Sequence, residues 1–215
     1  IVEDLFVDDA VDMLEELPAS VVKRVLKSAA PETRSLINQF LLYPEFGAGS
    51  IMTAEFVQLK KEMTVKEAID HIRRVGEDKE TIYTCYVTTQ NRKLEGIISV
   101  RTLLFSDDES ILESVMDRDF ISVTTTDDQE LVADLFRRYD LLSIPVVDHE
   151  NRLVGIITVD DIIDVIEEEN TEDFEKMGAM LPSDKPYLKT GVFSLAKNRI
   201  VWLMVLLVSG MITGS

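Results

Sequence analysis

Residues 51–170 contain two halves that repeat one order of elements, with a period of about 60 residues. The first half begins at Ile51-Met52-Thr53 and the second at Val115-Met116-Asp117. Each half continues with a short β-rich stretch, a helix start, a strand, a polar turn, a second strand and a closing helix. Because chance rarely duplicates a whole element order, the pattern predicts two copies of one supersecondary unit.

Each half is predicted to form a β-hairpin covered by helices. β-Branched runs on both sides of a polar turn indicate the hairpin, and its faces need helices to bury them. Thr64, with Glu67 three residues later, has the form of a capping box and predicts a helix start. The predicted strands are 83–87, 96–100, 144–147 and 155–159.

The two halves resemble cystathionine-β-synthase (CBS) domains, which pair into a pseudo-symmetric module. The second half carries the closer match, in Leu142-Ser143-Ile144-Pro145-Val146-Val147-Asp148 followed by Gly155-Ile156-Ile157-Thr158-Val159-Asp160-Asp161. The resulting fold class is α+β: a helical N-terminal segment, a tandem CBS pair and a long C-terminal connecting helix.

The segments flanking the repeats differ in character. Apolar residues recur at helical spacing over residues 7–41, interrupted by Pro18 and Pro31, which predicts several helices. Residues 200–212 form an apolar run that is preceded by basic residues, as on the cytoplasmic flank of a membrane span. The run is shorter than the roughly 20 residues a span needs, so we expect the start of a transmembrane helix. The alternative is a buried helix of a soluble protein.

The order of these segments resembles the MgtE-type magnesium transporter family. The motifs that carry it are Tyr43-Pro44-Glu45, Ala48-Gly49-Ser50-Ile51-Met52-Thr53, the CBS repeats and Thr171-Glu172-Asp173. The resemblance implies the C-terminal part of a helical N domain (1–45), CBS repeat 1 (46–107), CBS repeat 2 (108–170), a connecting or plug helix (171–199) and the start of a transmembrane helix (200–215). It also implies a homodimer through the CBS pair, a pore domain in the membrane, and a cytoplasmic position for this region.

The net charge of −18 limits the partners that the chain can bind. Phosphate backbones require clustered Lys and Arg, so we expect no nucleic-acid binding. An acidic surface favours cations, basic proteins or simple solubility. Neither His71 nor His149 has a catalytic or zinc-binding partner in the sequence pattern, so we expect no enzymatic activity.

Three acidic groups stand out. Carboxylates after Thr158 recur three and four residues apart, with few lysines between them, which invites an external cation. Asp8, Asp9 and Asp12 form a second group near the N-terminus, and Asp128 with Glu130 belong to a third. A solvated acidic helix is the alternative for the first group, although the second acidic group makes it less favoured, and helix capping is the alternative for Asp128. Asp140 is either a turn former or a ligand.

Mg²⁺ prefers oxygen ligands and keeps several waters, so carboxylates that face each other across a domain gap suit it. The family resemblance extends this to a regulatory metal set, in which Mg²⁺ is both sensed and transported. The candidate metal ligands are Asp8, Asp9, Asp12, Asp128, Glu130, Asp140, Asp161, Asp164, Glu169, Glu172 and Asp173.

CBS pairs often bind adenine nucleotides through the Asp of a Thr-x-x-Asp pattern. Thr158 and Asp161 supply that pattern, whereas the first repeat has Ser99-Val100-Arg101-Thr102. At most one ATP site per chain is therefore predicted, with Ile144 and Pro145 in the pocket for the adenine base. Two functions follow: an Mg²⁺-sensing gate of a magnesium transporter, or a nucleotide-sensing CBS module of another transporter. A bare dimerisation scaffold is a third.

Overall fold

The computed structural model describes residues 5–15, 17–44, 46–177 and 204. Three helices come first: α1 (Val7–Glu15), α2 (Ala19–Ser28) and α3 (Pro31–Phe40). Pro31 occupies the first turn of α3, where its missing N–H costs nothing. α1 packs against α3 and buries Val7, Ala10, Val11 and Leu14.

The first repeat contains β1 (Phe56–Lys60), α4 (Val65–Val75), β2 (Thr81–Thr88), β3 (Leu94–Ser99), α5 (Val100–Phe105) and α6 (Leu112–Val115). β1 pairs in parallel with β2, and β2 pairs antiparallel with β3. The predicted capping box begins α4: the Glu67 amide donates to Thr64 Oγ1, and the Thr64 amide donates to Glu67 Oε2.

The second repeat contains β4 (Val123–Thr124), α7 (Gln129–Tyr139), β5 (Ser143–Val147), β6 (Leu153–Thr158) and α8 (Val159–Met177). Its three strands have the same order and directions as those of the first repeat. The repeated α+β architecture predicted from the sequence is therefore confirmed.

The repeats exchange the segments that precede their first strands. Thr53 exchanges two backbone hydrogen bonds with Ile156 of β6 (2.8 and 2.9 Å), and Asp117 does the same with Ile97 of β3 (2.8 and 2.9 Å). Side chains of both repeats also share one buried cluster, formed by Phe56, Tyr86, Leu94, Val147, Leu153 and Ile156. This exchange of segments determines which residues of the first repeat lie beside the start of α8.

The chain divides into two compact units, residues 1–162 and residues 163–215. The first unit contains α1–α3, both sheets and the first residues of α8. The second begins within α8, and the predicted plug segment beyond Met177 and the apolar run, apart from Met204, lie outside the described residues.

Candidate metal centre

Asp8 lies at the edge of the buried face of α1. Val7, Ala10 and Val11 are 4%, 1% and 4% exposed, and the helical repeat places Asp8 next to this face, half-buried. Asp9 points further out and is exposed. Helix α1 therefore carries one carboxylate, that of Asp8, which is only partly exposed to water.

Asp161 is held in the first turn of α8. Its Oδ2 accepts hydrogen bonds from the Thr158 hydroxyl (2.5 Å) and the Thr158 amide (3.3 Å). Asp160 precedes it and is exposed. Acidic side chains are favourable at a helix N-terminus because they oppose the positive end of the helix dipole. This local preference places two carboxylates at one helix end.

The fold brings Asp8 and Asp161 together. Burial, and then the negative charge of Asp161, raise the pKa of Asp8 to about 7, while nearby backbone amides of residues 8 and 9 offset part of the rise. Asp8 Oδ1 is buried and has no hydrogen-bond partner among the described residues. A buried carboxylate oxygen without a donor is costly, so this site favours a proton or a cation beside Asp8.

Glu55 and Glu80 join this group, although the sequence reasoning missed both. Glu55 Oε2 accepts from the Thr53 hydroxyl (2.7 Å) and the Ala54 amide (3.0 Å). The Glu80 amide donates to the Glu55 carbonyl oxygen (2.8 Å). Glu55 has no acidic neighbour, and Glu80 follows Glu77 and Asp78 outside the three acidic groups that the sequence analysis singled out.

The pKa of Glu80 identifies the other carboxylates that lie near it. It is raised first by burial and then by the charges of Asp161, Asp160, Asp9 and Glu55. We call these six residues the acidic cluster: Asp8, Asp9, Glu55, Glu80, Asp160 and Asp161. They come from α1, the segment before β1, the segment before β2 and the start of α8.

Several other predicted ligands have local roles or lie elsewhere. Asp128 caps α7 by accepting from the Glu130 amide (2.8 Å), which is the capping role considered from the sequence. Asp140 ends α7 in the left-handed conformation (φ 50°), as expected of a turn former, and its side chain is exposed.

The remaining candidates lie further along α1 and α8. Asp12 is exposed on α1, and Asp164 is exposed on α8. Glu169 is half-buried further along α8, and the side chains of Glu172 and Asp173 lie outside the described residues. The part they play in metal binding stays a prediction.

The Thr-x-x-Asp pattern of the second repeat is formed as a local turn. Thr158 and Asp161 are joined by the hydrogen bonds described above, and in the first repeat Ser99 Oγ accepts from the Thr102 amide (3.0 Å). Ile144 and Pro145, predicted at the nucleotide base, are both buried in β5. Because both residues are buried, other residues of this region have to provide the surface that contacts the adenine base.

The chemistry of the acidic cluster fits Mg²⁺ better than a transition metal. In the described part of the chain, no three His, Cys, Asp or Glu side chains lie close enough together to hold a metal ion among them. Mg²⁺ usually takes one or two carboxylates and keeps several waters, so it does not require such a group. Asp8 and Asp161 are the pair best placed to share a hydrated ion.

Known families match nearly the whole described chain. The MgtE intracellular N domain matches residues 1–46, and the CBS domain matches residues 48–108 and 112–168. The cytosolic domain of the Mg²⁺ channel MgtE in complex with ATP is a solved structure that is 40% identical to this chain. The two align with a TM-score of 0.73 over 76% of this chain and 67% of that one.

This chain belongs to the MgtE family. The crystal structure of the soluble part of a magnesium transporter is also 40% identical, with a TM-score of 0.77 over 78% of this chain and 66% of that one. The magnesium transporter MgtE of Thermus thermophilus is 40% identical over 96% of this chain and 46% of its own length. The chain thus spans about half the length of that MgtE transporter. Within the described residues, no helix is both long enough and apolar enough to cross a bilayer.

Proposed function

We propose that this chain is the Mg²⁺-sensing regulatory region of a magnesium transporter or channel. Mg²⁺ binds between α1 and the start of α8 and holds the helical segment against the CBS pair. Without the ion, the carboxylates repel one another and the two parts separate. The chain acts by binding and by changing conformation, not by catalysis.

The observation that carries this proposal is the buried, unpartnered Asp8 Oδ1 close to Asp161. Two carboxylates on different elements repel each other when they lie close together, unless a proton or a cation lies between them. A hydrated Mg²⁺ removes the repulsion and adds attraction to both sides. The names of the related proteins make Mg²⁺ the cation to test first.

Several weakly bound ions together supply a steep response. Moving a two-state gate from 1:99 to 99:1 requires about 5.5 kcal/mol of differential binding. Glu55, Glu80 and Asp160 enlarge the negative field around the first pair, so they attract further ions. In this scheme the closed arrangement at high Mg²⁺ favours the closed pore.

Small-angle scattering tests the closure. We expect a smaller radius of gyration in millimolar Mg²⁺ than in EDTA, and we expect Asp161→Asn to weaken the response to Mg²⁺. Asp119→Asn is the matched control, because Asp119 is an exposed acid outside the acidic cluster. The same radius with and without Mg²⁺ in the unmutated chain refutes the proposal.

Membership of the family supports a proposal for the assembly around this region. We propose a homodimer formed through the CBS pair, a pore domain in the cell membrane and a cytoplasmic position for this region. In this arrangement the segment 171–199 links the sensor to the pore. Full-length relatives are magnesium transporters, which supports this arrangement.

A nucleotide site is a second candidate function, and the ATP complex of the 40% identical relative favours it. Thr158 and Asp161 provide the ribose-binding pattern next to the acidic cluster. Asp161 would serve both ligands, which would couple ATP and Mg²⁺ through one carboxylate. Calorimetric titration with ATP tests this: we expect binding that Asp161→Ala removes, and no heat in either protein rejects the site.

A further inference from the structure

A polar pocket lies between the hairpin turns of the two repeats, and none of its lining residues belongs to the acidic cluster. It has a volume of about 520 Å³. One wall is the turn between β2 and β3, and the other is the turn between β5 and β6. Its charged lining residues are Arg92, Lys93, Asp148, Glu150 and Arg152.

Reciprocal backbone contacts hold the two turns together. The Leu94 amide donates to the Asn151 carbonyl oxygen (3.1 Å), and the Leu153 amide donates to the Arg92 carbonyl oxygen (2.9 Å). Lys93 and Arg152, which occupy the same position in the two repeats, form a backbone bridge. Two cationic residues therefore meet where the repeats join, on a backbone that is hydrogen-bonded from both sides.

The two turns have the same backbone but different charges. The Asp148 amide donates to the Arg152 carbonyl oxygen (2.9 Å), and the Thr89 amide donates to the Lys93 carbonyl oxygen (2.9 Å). Thr89 therefore stands where the second repeat has Asp148. Asp148 Oδ1 accepts from the Arg152 amide (2.9 Å), as Thr89 Oγ1 accepts from the Lys93 amide (3.1 Å).

This difference leaves Arg92 and Lys93 without an ion pair in the part of the chain that the structure describes. Arg152 Nε donates to Asp148 Oδ2 (2.7 Å), and Arg152 Nη1 lies 3.2 Å from Glu150 Oε2. Thr89, in contrast, cannot neutralise Lys93. In a chain with a net charge of −18, such a pocket is unusual.

We propose that this pocket binds a small phosphate-bearing anion. Arg92 and Lys93 supply the charge, since guanidinium and ammonium groups form strong charge-assisted hydrogen bonds with phosphate oxygens. The Asp148–Arg152 ion pair lies on the opposite wall, and Gln90 and Asn91 also line the pocket. The phosphate belongs either to free inorganic phosphate or to a phosphorylated small molecule.

Amide chemical shifts of the 215-residue chain test the site in metal-free buffer, where phosphate cannot act by removing Mg²⁺. We expect inorganic phosphate to shift residues 89–93 and 148–153 in a saturable way, at constant ionic strength set with chloride. Lys93→Gln should weaken binding about tenfold, as expected for one lost charge-assisted hydrogen bond. Lys66→Gln, an exposed lysine on α4, is the matched control and should leave binding unchanged.

A second variant tests the charge argument without removing a cation. Thr89→Asp copies the second repeat, so its carboxylate should pair with Lys93 and abolish phosphate binding. Glycerol 3-phosphate, compared with inorganic phosphate, distinguishes the two sources, because tighter binding of the organic phosphate assigns the site to a phosphorylated small molecule. Absence of saturable shifts, or equal weakening by Lys93→Gln and Lys66→Gln, overturns the proposal.

Discussion

At the scale of single residues, the environment of a side chain decides its role more than its type does. Asp8 and Asp128 are both aspartates at the start of a helix. Asp128 satisfies an amide of its own helix, whereas Asp8 has a buried oxygen without a donor and a second carboxylate nearby. Asp128 is explained by local structure, and Asp8 needs a proton or an ion.

The raised pKa of Asp8 predicts a pH-dependent stability in metal-free buffer. In the unfolded chain this group titrates near its ordinary value of 3.8, and in the folded chain at about 7. Between these values the folded state binds more protons, so the contribution of Asp8 to stability falls as pH rises and is lowest above pH 7. Asp8→Asn should therefore gain stability relative to the unmutated chain as pH rises from about 5 to 8.

Urea denaturation at each pH measures this difference. Asp119→Asn, with its exposed position, should show no such trend. A constant difference between Asp8→Asn and the unmutated chain across this pH range contradicts the assigned environment of Asp8.

Tyr86 gives a second prediction at this scale. Its hydroxyl lies 2.8 Å from Ser143 Oγ of the other repeat, and the residue is fully buried, which raises the pKa of its phenol. Tyr86→Phe should lower the free energy of unfolding by about 1 kcal/mol, because it leaves the Ser143 hydroxyl without this partner. Tyr83→Phe is the control, since Tyr83 is 70% exposed; equal effects of the two changes would count against an inter-repeat hydrogen bond.

At the scale of elements, each repeat depends on a crossing segment that lies directly over a strand. Gly155 of β6 faces Met52 and Thr53, and Gly96 of β3 faces Met116 and Asp117. A Cβ atom on Gly155 would lie 2.8 Å from the Thr53 carbonyl oxygen, and one on Gly96 would lie 2.8 Å from that of Asp117. The strands can therefore accept the crossing segments only where they lack a side chain.

Gly155→Ala should destabilise the fold by about 1–3 kcal/mol, the usual cost of overpacking. The clash involves backbone, which cannot move without breaking the hydrogen bonds between Thr53 and Ile156. Gly76→Ala is a suitable comparison, because the nearest atom there is a side-chain methyl of Ile82 at 3.1 Å. In thermal and urea unfolding, Gly155→Ala should be much less stable than Gly76→Ala. The reverse order of stability would contradict the close approach of the Met52–Thr53 segment to Gly155.

At the scale of the whole molecule, electrostatic repulsion within the chain opposes a compact state. The net charge is −18, and the acidic cluster draws carboxylates from four separate segments. Monovalent salt screens such repulsion over a Debye length of roughly 10 Å at 0.1 M, but it does not bridge two carboxylates. A divalent cation acts on the cluster directly.

Mg²⁺ should therefore raise the unfolding temperature more than NaCl does at the same ionic strength. At 100 times its dissociation constant, a single ion that binds only the folded state adds about 2.7 kcal/mol. Asp161→Asn should remove most of the extra stabilisation by Mg²⁺, and Asp119→Asn should retain it. Identical unfolding temperatures in Mg²⁺ and in matched NaCl would show that the cluster responds only to screening.

The sequence by itself determined the repeated α+β units, the capping box at Thr64, the helical N-terminal segment and the acidic character of α1 and α8. These features depend on periodicity, caps and composition, which act over a few residues. Only the tertiary structure decided which carboxylates meet. The pairing of Thr53 with Ile156 carries Glu55 and Glu80 toward Asp161, while α1 brings Asp8 there from more than 150 positions earlier in the sequence. Contacts between such distant residues depend on packing, and no local pattern in the sequence records them.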